Sequence, residues 1–552
     1  MRILAINDCS DSSAALVEDG RIIAAVEEER FTYRRHIDIF PFNAIEHVTG
    51  GDFSDIDRVV YTMEYNDFRV PRFDRYQVFP ATMLHPPAAW LSAVDRLPQP
   101  LIKAVGNAAY WTTFNALINR RKLERKYMQK RMGLDFEIVR HHLAHASSAY
   151  RASGFGKANI LVMDGSGEKY STSLFVGDGE IEPVKDIAES NSMGILYTFI
   201  SLILGLGRFG QGKTMGLAPY GTPRPEYVKM VEVLHHDYNI RMDRVRELAR
   251  HIRYGGEPTK EHQDIAASLQ EALERVAIEM VDCLHETSGY KDLCLAGGVV
   301  LNCSMNGVLL RTPMVDRMFV QPAASDAGTA LGAAFQLCYE EGVQAETMIS
   351  AALGPSYDDV AIARALADEG LTGEPVDDPA STAAVLIAEG KVIGWFQGRL
   401  EFGPRALGQR SIIADPTDPE MHDRVNRIKN REMWRPLAPS VLIEHLPEYF
   451  EGGHPSPFMI LTYPVREEKR DEIPAVTHVD GSARLQTVDG RATPLYHKLI
   501  SRFAKEGKPP VVLNTSFNSR GQPIVRTPYD AIRTFKRIGL DAMVIGGYLV
   551  TA

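Results

Sequence analysis

Short apolar runs that stop abruptly in aspartate, serine or glycine recur along this chain, and they constrain its fold more than any other feature. Met1–Ile6 runs into a polar turn, Ser13–Val17 ends in Glu18-Asp19-Gly20, and Arg21–Val26 follows at once. Ala158–Met163 runs into Asp164-Gly165-Ser166-Gly167-Glu168, and Leu293–Ala296 runs into Gly297-Gly298. Runs of this length between turn residues read as strands. Joined by stretches long enough for helices, they give an α/β fold with open sheets, in which residues at the carboxyl ends of strands face the ligand crevice. After Gly354-Pro355-Ser356 the pattern shifts to shorter α/β segments, with strands expected near Val392–Phe396, Pro510–Leu513 and Ala542–Ile545. Two domains are expected, 1–354 and 355–552. The sequence shows neither a tandem repeat nor a low-complexity tract.

Composition narrows the function classes. The formal net charge over 552 residues is -10, so no global positive field draws the chain to nucleic acid. Residues 66–135 depart from that background. They hold twelve Lys/Arg and five Asp/Glu, a local net of +7, with nine aromatics interleaved. This segment is a helical insertion with solvated faces, or a wall for an acceptor substrate. The five cysteines (Cys9, Cys283, Cys294, Cys303, Cys338) form no CxxC pair, which argues against a zinc knuckle or disulfide framework and for a reducing compartment. No apolar run approaches the roughly 18 residues of a membrane span. The opening Met-Arg-Ile-Leu lacks the h-region of a signal peptide. A cytoplasmic protein with no membrane partner is expected.

Several residues carry chemistry. His141 and His145 are spaced i, i+4, which puts both on one helical face and lets two imidazoles share a metal. Asp164 ends an apolar strand, and Asp326 stands in a comparable turn, Ala324–Gly328, ahead of a helix. Two His and two Asp form a mixed N/O donor set suited to iron, manganese or zinc. The turns holding Gly165, Gly167, Lys213, Gly297, Gly298 and Asn302 are open enough for backbone to approach a nucleotide. None of them matches GxxxxGK[ST] or GxGxxG. The C-terminal half concentrates Arg405, Lys429, Arg431 and Arg435 near glycines, with Ser516 and Asn518 farther on. Cations with hydroxyl and amide donors make a phosphate cradle.

Eight strings recur in one order along nearly the whole chain: HHLAHASSAY, MDGSGE, GKTMGLAPYG, LAGGVVLN, SDAGTALGAA, EFGPRALGQRS, NREMWRPLAPS and LNTSFN. Together they resemble the antibiotic and nodulation-factor O-carbamoyltransferase family, which includes the tobramycin and cephamycin O-carbamoyltransferases. The resemblance implies an actin/Hsp70-like N-terminal domain, similar to the threonylcarbamoyl-transfer protein of tRNA modification, and a YrdC-like α/β C-terminal domain. It implies that carbamoyl phosphate and ATP, with Mg2+, become carbamoyl adenylate in the C-terminal domain. The carbamoyl group then passes to a hydroxyl of a small acceptor. On that resemblance His141, His145, Asp164 and Asp326 are ligands of iron(II) or another divalent metal. Arg405, Lys429, Arg431, Arg435, Arg484, Ser516 and Asn518 bind carbamoyl phosphate and ATP.

The chain departs from the family pattern in three places. Ser10 stands where a histidine is usual, Arg35 where a lysine precedes His36, and Gln211 where a glutamate precedes Gly212. The roles of acceptor base and neighbouring cation are therefore expected at Asp8 and Arg35. Two rivals are transfer of a threonylcarbamoyl group to tRNA, which the acidic charge opposes, and a non-catalytic nucleotide or sugar sensor, which the metal quartet and cation set oppose. The expected partner is a small hydroxylated molecule, and a homodimer is expected from the prevalence of two-fold symmetry.

Overall fold

The computed structural model describes residues 1–64, 116, 118–252 and 256–551. Of the basic, aromatic segment expected at 66–135, residues 66–115 and 117 lie outside the described residues, and 118–132 are helical.

The N-terminal half contains one five-stranded pattern twice. The first sheet is built from β1 (Arg2–Asn7), β2 (Ser13–Glu18), β3 (Arg21–Glu27), β4 (Arg58–Tyr61) and β5 (Phe136–Ile138), in the order β3-β2-β1-β4-β5. β1, β2 and β3 pair antiparallel, while β4 and β5 continue parallel to β1. The second sheet uses β6 (Lys157–Gly167), β7 (Tyr170–Asp178) and β8 (Glu180–Ala188). After a separate hairpin of β9 (Val231–Leu234) and β10 (Asp237–Ile240), it adds β11 (Asp292–Ala296) and β12 (Arg317–Val320). Its order, β8-β7-β6-β11-β12, and its pairing directions repeat those of the first sheet. This duplication is the architecture of the actin/Hsp70-like class. It was not legible as a sequence repeat, because a sheet's strand order depends on where apolar runs fall and not on which apolar residues fill them.

Each repeat sends the helix after its fifth strand into the space between the sheets. The helix His141–Ser153 follows β5 and packs on β6 and β11; Thr329–Glu340 follows β12 and packs on β1, β2 and β4. The two helices cross closely through small residues. A Cβ on Gly332 would lie 1.8 Å from the Ala144 carbonyl oxygen, so only glycine fits. The β2–β3 turn has the same requirement. Asp19 and Gly20 have φ of 46° and 79°, the backbone of a two-residue hairpin turn, and a Cβ on Gly20 would meet the Gln344 carbonyl. The helix Lys260–Ser288 buries Leu269, Leu273, Val276, Met280 and Leu284. Each such side chain contributes roughly 1.5–3 kcal/mol on burial.

The C-terminal half forms a nine-stranded mixed sheet. Its strands are β13 (Glu374–Pro375), β14 (Ile393–Phe396), β15 (Arg410–Ala414), β16 (Ala438–Leu442), β17 (Leu461–Pro464), β18 (Ser482–Val488), β19 (Val511–Ser516), β20 (Ala542–Ile545) and β21 (Tyr548–Thr551). They run in the order β13-β21-β20-β14-β15-β19-β16-β18-β17. Specific bonds join this half to the first. Arg30 Nη2 donates to the Gly403 carbonyl at 2.7 Å, and Gly403 N–H donates to Glu27 Oε1 at 2.7 Å. Asn306 donates to the Ile460 carbonyl at 2.9 Å. Among the described residues no helix is long and apolar enough to cross a membrane.

Candidate active site

The expected metal quartet is assembled. His141 and His145 lie in the first turns of their helix, Asp326 opens the 3-10 turn leading into Thr329–Glu340, and Asp164 stands where the pairing of β6 with β7 shifts register. The ligand atoms of all four lie within 4.8 Å of one another. His141 Nε2 is 3.2 Å from His145 Nε2 and 3.6 Å from both Asp164 Oδ2 and Asp326 Oδ1. Donors about 2.0–2.2 Å from a common centre would be separated by about these distances. Burial would lower the His141 imidazole, but Asp326 and Asp164 raise it well above its ordinary value. Burial would raise Asp164, but His141 and His145 hold it well below the usual carboxylate range. Two carboxylates facing two buried imidazoles thus call for positive charge at their centre, and a divalent cation fits that demand. His142 points away. Its Nδ1 lies 2.6 Å from Ser173 Oγ, and burial, with the His141 charge, pushes it down to about 3.

The glycine turns serve this quartet closely. Gly298 N–H donates to Asp164 Oδ1 at 2.9 Å. A Cβ on Gly167 would meet the His141 and His142 rings at 2.7 Å, and Gly297, at φ 95°, abuts the Met163 carbonyl. A Cβ on Gly165 would meet nothing within 4 Å, so its turn remains open. Asn302 was expected to touch a nucleotide. In the structure its Oδ1 accepts from Met305 N–H as a helix cap, at 3.0 Å, and its amide is paired with Gln270. Lys213 bonds Glu432 Oε1 at 2.9 Å across the junction of the halves.

Asp8, expected as the acceptor base, is bound into the fold. Asp8 is fully buried, and both its carboxylate oxygens are engaged by Arg125, at 2.8 and 2.7 Å. Both carboxylate oxygens are thus committed to a bidentate ion pair inside the fold. Arg125 comes from the basic segment, 117 residues away, and stacks over the Tyr61 ring at 4.3 Å.

In the C-terminal half the expected cations converge. Arg405 lies in the loop between β14 and β15, Lys429 and Arg431 follow the helix Met421–Ile428, Arg435 precedes β16, and Arg484 is on β18. Lys429 Nζ donates to the Ser516 carbonyl and to Asn518 Oδ1, the latter at 2.9 Å, and Ser516 Oγ donates to the same Oδ1 at 2.8 Å. Burial, followed by the Arg484 charge, pushes Arg405 down to about 9, and burial with Arg435 does the same to Arg431. Burial and the charges of Arg431, Arg435 and Arg35 pull Lys429 well below its ordinary value. Guanidinium groups stay charged in proteins, so this mutual repulsion is relieved by a bound anion and not by loss of a proton. Buried donors stand ready for one: among the described residues, Arg405 Nε, Arg431 Nη2 and Arg484 Nε have no hydrogen-bond partner. Arg35 is exposed, and its charge acts on Arg405, Lys429 and Arg435, which places it at the rim of this cluster. Arg410 is structural: it stacks on Phe396 at 3.7 Å and donates to carbonyls, including Gly398 at 3.0 Å.

Family models of the carbamoyltransferase N-terminus and C-terminus match residues 2–335 and 384–552. The chain belongs to the carbamoyltransferase family. It is 42% identical over 561 residues to nodulation protein NolNO of Sinorhizobium fredii, covering 98% of this chain and 78% of that relative. It is 44% identical over 431 residues to nodulation protein NolO of Bradyrhizobium diazoefficiens, covering 75% of this chain and 78% of that one. A remote likeness links it to component A of the Acidaminococcus fermentans (R)-2-hydroxyglutaryl-CoA dehydratase, at 14% identity and a TM-score of 0.34, covering 62% of this chain and 98% of that one.

This carbamoyltransferase has site neighbours that its sequence did not flag. Glu168 Oε1 accepts from the His141 N–H at 3.0 Å, fixing the start of the helix that carries His141 and His145. Glu432 joins Lys213 and Arg520 at the edge of the cation cluster. The one available signal for Glu432 was its place beside the Lys429–Arg431 string. Arg125 had none, since nothing in sequence ties it to Asp8.

Proposed function

We propose that this carbamoyltransferase is ATP-dependent and modifies a hydroxyl of a small acceptor. Water first cleaves carbamoyl phosphate to carbamate and phosphate. A carbamate oxygen then attacks the α-phosphorus of ATP, releasing pyrophosphate and leaving carbamoyl adenylate. In the second stage the acceptor oxygen bonds to the carbamoyl carbon, the bond from that carbon to the phosphate oxygen breaks, and AMP leaves. Arg405, Lys429, Arg431, Arg435 and Arg484 neutralise the phosphates of carbamoyl phosphate and of Mg2+-bound ATP in the first stage. Ser516 and Asn518 hold Lys429 in place for it. His141, His145, Asp164 and Asp326 would hold iron(II) or a similar divalent ion, which supplies Lewis acidity when bound.

One observation carries the coupling of the two stages. The 3-10 turn Gly298–Leu301 is bonded at its start to Asp164 of the quartet and at its end to Arg405 of the cation cluster, whose Nη2 donates to the Leu301 carbonyl at 3.4 Å. A single backbone turn thus touches both groups, as an intermediate made at one and used at the other requires. That two relatives above 40% identity carry nodulation names supports a small carbohydrate-like acceptor. The test is mass spectrometry over a panel of hydroxylated acceptors, starting with chitooligosaccharides and aminoglycosides, in the presence of carbamoyl phosphate and ATP. The expected product is heavier by one carbamoyl group in place of a hydrogen, and it requires both co-substrates. Product formed without ATP, or none across the panel with no pyrophosphate released, overturns the proposal.

A further inference from the structure

With Asp8 locked by Arg125 and Ser10 in the β1–β2 turn, the acceptor hydroxyl needs a base from elsewhere. We propose that His36, oriented by Asp11, is that base. The inference rests on the two-stage reading above and concerns only its second stage.

The geometry is that of a base held by a carboxylate. His36 Nδ1 lies 2.9 Å from Asp11 Oδ1, so the ring can present Nε2 outward as a proton acceptor. Two residues with left-handed backbone, Asp11 at φ 46° and His36 at φ 53°, meet in this pair. Such conformations cost free energy outside glycine and persist where the surroundings enforce them. Here Glu29 Oε2 accepts from the His36 N–H at 2.9 Å, and Ser12 N–H donates to the Ile37 carbonyl at 3.3 Å. The His36 ring is also stacked on Phe209, with centroids 4.3 Å apart.

Its position fits the role. Ser325, the residue before the quartet's Asp326, lies close enough to the Asp11 carboxyl to help lower it against burial, after His36. Ser13 Oγ donates to the Ala327 carbonyl at 2.8 Å, so the β1–β2 turn is fastened to the turn that carries Asp326. The residue next to His36 is Arg35, at the rim of the cation cluster. Phe209 precedes the helix Gln211–Leu217, whose Lys213 reaches Glu432. His36 therefore stands where the quartet turn, the cation cluster and the Gly-Lys helix meet. Burial would raise the Asp11 carboxyl, but His36 holds it below its ordinary value, which keeps it the charged partner. The charged groups around the ring are Asp11 and Glu29, Arg35 beside it, and Arg208, which lies over Phe209. Glu29 also lies near the ring, with a carboxylate oxygen within 4.8 Å of a His36 ring nitrogen, but it is engaged by Arg30 and by the His36 N–H, and the hydrogen bond to the ring is made by Asp11.

In the step, the acceptor O–H gives its proton to His36 Nε2 while the acceptor oxygen bonds to the carbamoyl carbon. AMP leaves with the electron pair of the broken bond, and His36 returns the proton to solvent. His36 is the catalytic residue and Asp11 a positioning residue.

The test separates the stages in the full-length protein. Pyrophosphate release from carbamoyl phosphate and ATP reads the first, and carbamoylated product, with the acceptor found in the panel, reads the second. His36→Ala is expected to lower product formation by about 10²–10⁴-fold, the range for loss of a general base, and to leave single-turnover pyrophosphate release within about threefold. Added imidazole should restore part of the product, and the acid limb of the transfer pH profile should vanish in the variant. Asp11→Asn should lower transfer less and shift that limb. His36→Gln guards against misfolding. Transfer by His36→Gln near that of the parent overturns the proposal, as does a parallel loss of both stages without rescue by imidazole. Failure of the two-stage reading shows separately, as absence of pyrophosphate release in the unmodified protein.

Discussion

The two sheets of the N-terminal half place the same residue type at the same point and use it for opposite ends. Ile6 is the last residue of β1 paired with β4, and Val162 the last of β6 paired with β11. Two residues beyond each stands an aspartate, Asp8 in one and Asp164 in the other. Asp8 is closed off by Arg125 and contributes to the fold, whereas Asp164 faces two imidazoles and a second carboxylate and is left to a ligand. The difference comes from what the helices deliver. The second repeat receives His141 and His145 from the helix that crosses over from the first. The first repeat receives an arginine from the basic segment. A duplicated scaffold thus specialises one crevice by filling its twin with a salt bridge.

The same substitution at both positions breaks or confirms this contrast. Asp8→Asn leaves a buried guanidinium without its charge partner and is expected to cost about 3–5 kcal/mol of stability, measured by denaturant unfolding. The double variant Asp8→Asn with Arg125→Met should recover most of that loss, because no uncompensated charge remains. Wild-type stability in Asp8→Asn, with transfer alone abolished, would return Asp8 to the chemistry. Asp164→Asn should act in reverse. Metal affinity, read by equilibrium titration of a divalent ion, is expected to fall by at least about 100-fold, since a ligand matters no less than the groups behind it. The metal-free protein should lose less stability than Asp8→Asn does, because His141 can shed its proton and leave no uncompensated charge, as a guanidinium cannot. A large loss of metal-free stability would show Asp164 to be structural like its twin.

The parts of this arrangement that could be read from sequence are those set by local period. The i, i+4 spacing put His141 and His145 on one face, and a strand running into glycine placed Asp164 at a strand end. Apolar runs near 392, 510 and 542 marked three strands of the nine-stranded sheet. What stayed hidden depends on distant pairing. Arg125 meets Asp8 across 117 residues, and nothing local ties a lone arginine in a charged helix to one carboxylate. Asn302 was hard to read for a different reason. A helix cap and a phosphate turn share the same strand–glycine–asparagine vocabulary, and only the Met305 bond distinguishes them.

The crossing that delivers the imidazoles gives a smaller effect. Gly332→Ala places a methyl against the Ala144 carbonyl, in the helix turn that carries His141 and His145. Overpacking of this kind costs about 1–3 kcal/mol. Because the displaced backbone bears His141 and His145, affinity for a divalent ion should weaken with stability. Loss of stability alone would show that the ligand turn is held by the second sheet and not by the crossing.

The smallest effect belongs to Lys213, for which the second repeat offers two roles, nucleotide ligand or strut between the halves. Its ammonium lies on Glu432, and both side chains are about a fifth exposed, at 23% and 22%. A partly solvated pair of this kind contributes about 0.2–1 kcal/mol, less at high salt. Lys213→Met should therefore change stability by no more than that and leave the KM for ATP within about threefold. Burial would raise Glu432, but Lys213 holds it below its ordinary value, so its folded pKa lies under the unfolded one. The pair's contribution is then complete above the ordinary glutamate range, near about 4.3, and fades as pH falls through the lower folded value. Wild-type and Lys213→Met unfolding midpoints should converge in acid and separate toward neutral pH. A variant that keeps the wild-type pH dependence of stability but raises the KM for ATP tenfold would assign Lys213 to the nucleotide. The second crevice would then bind phosphate as well as metal.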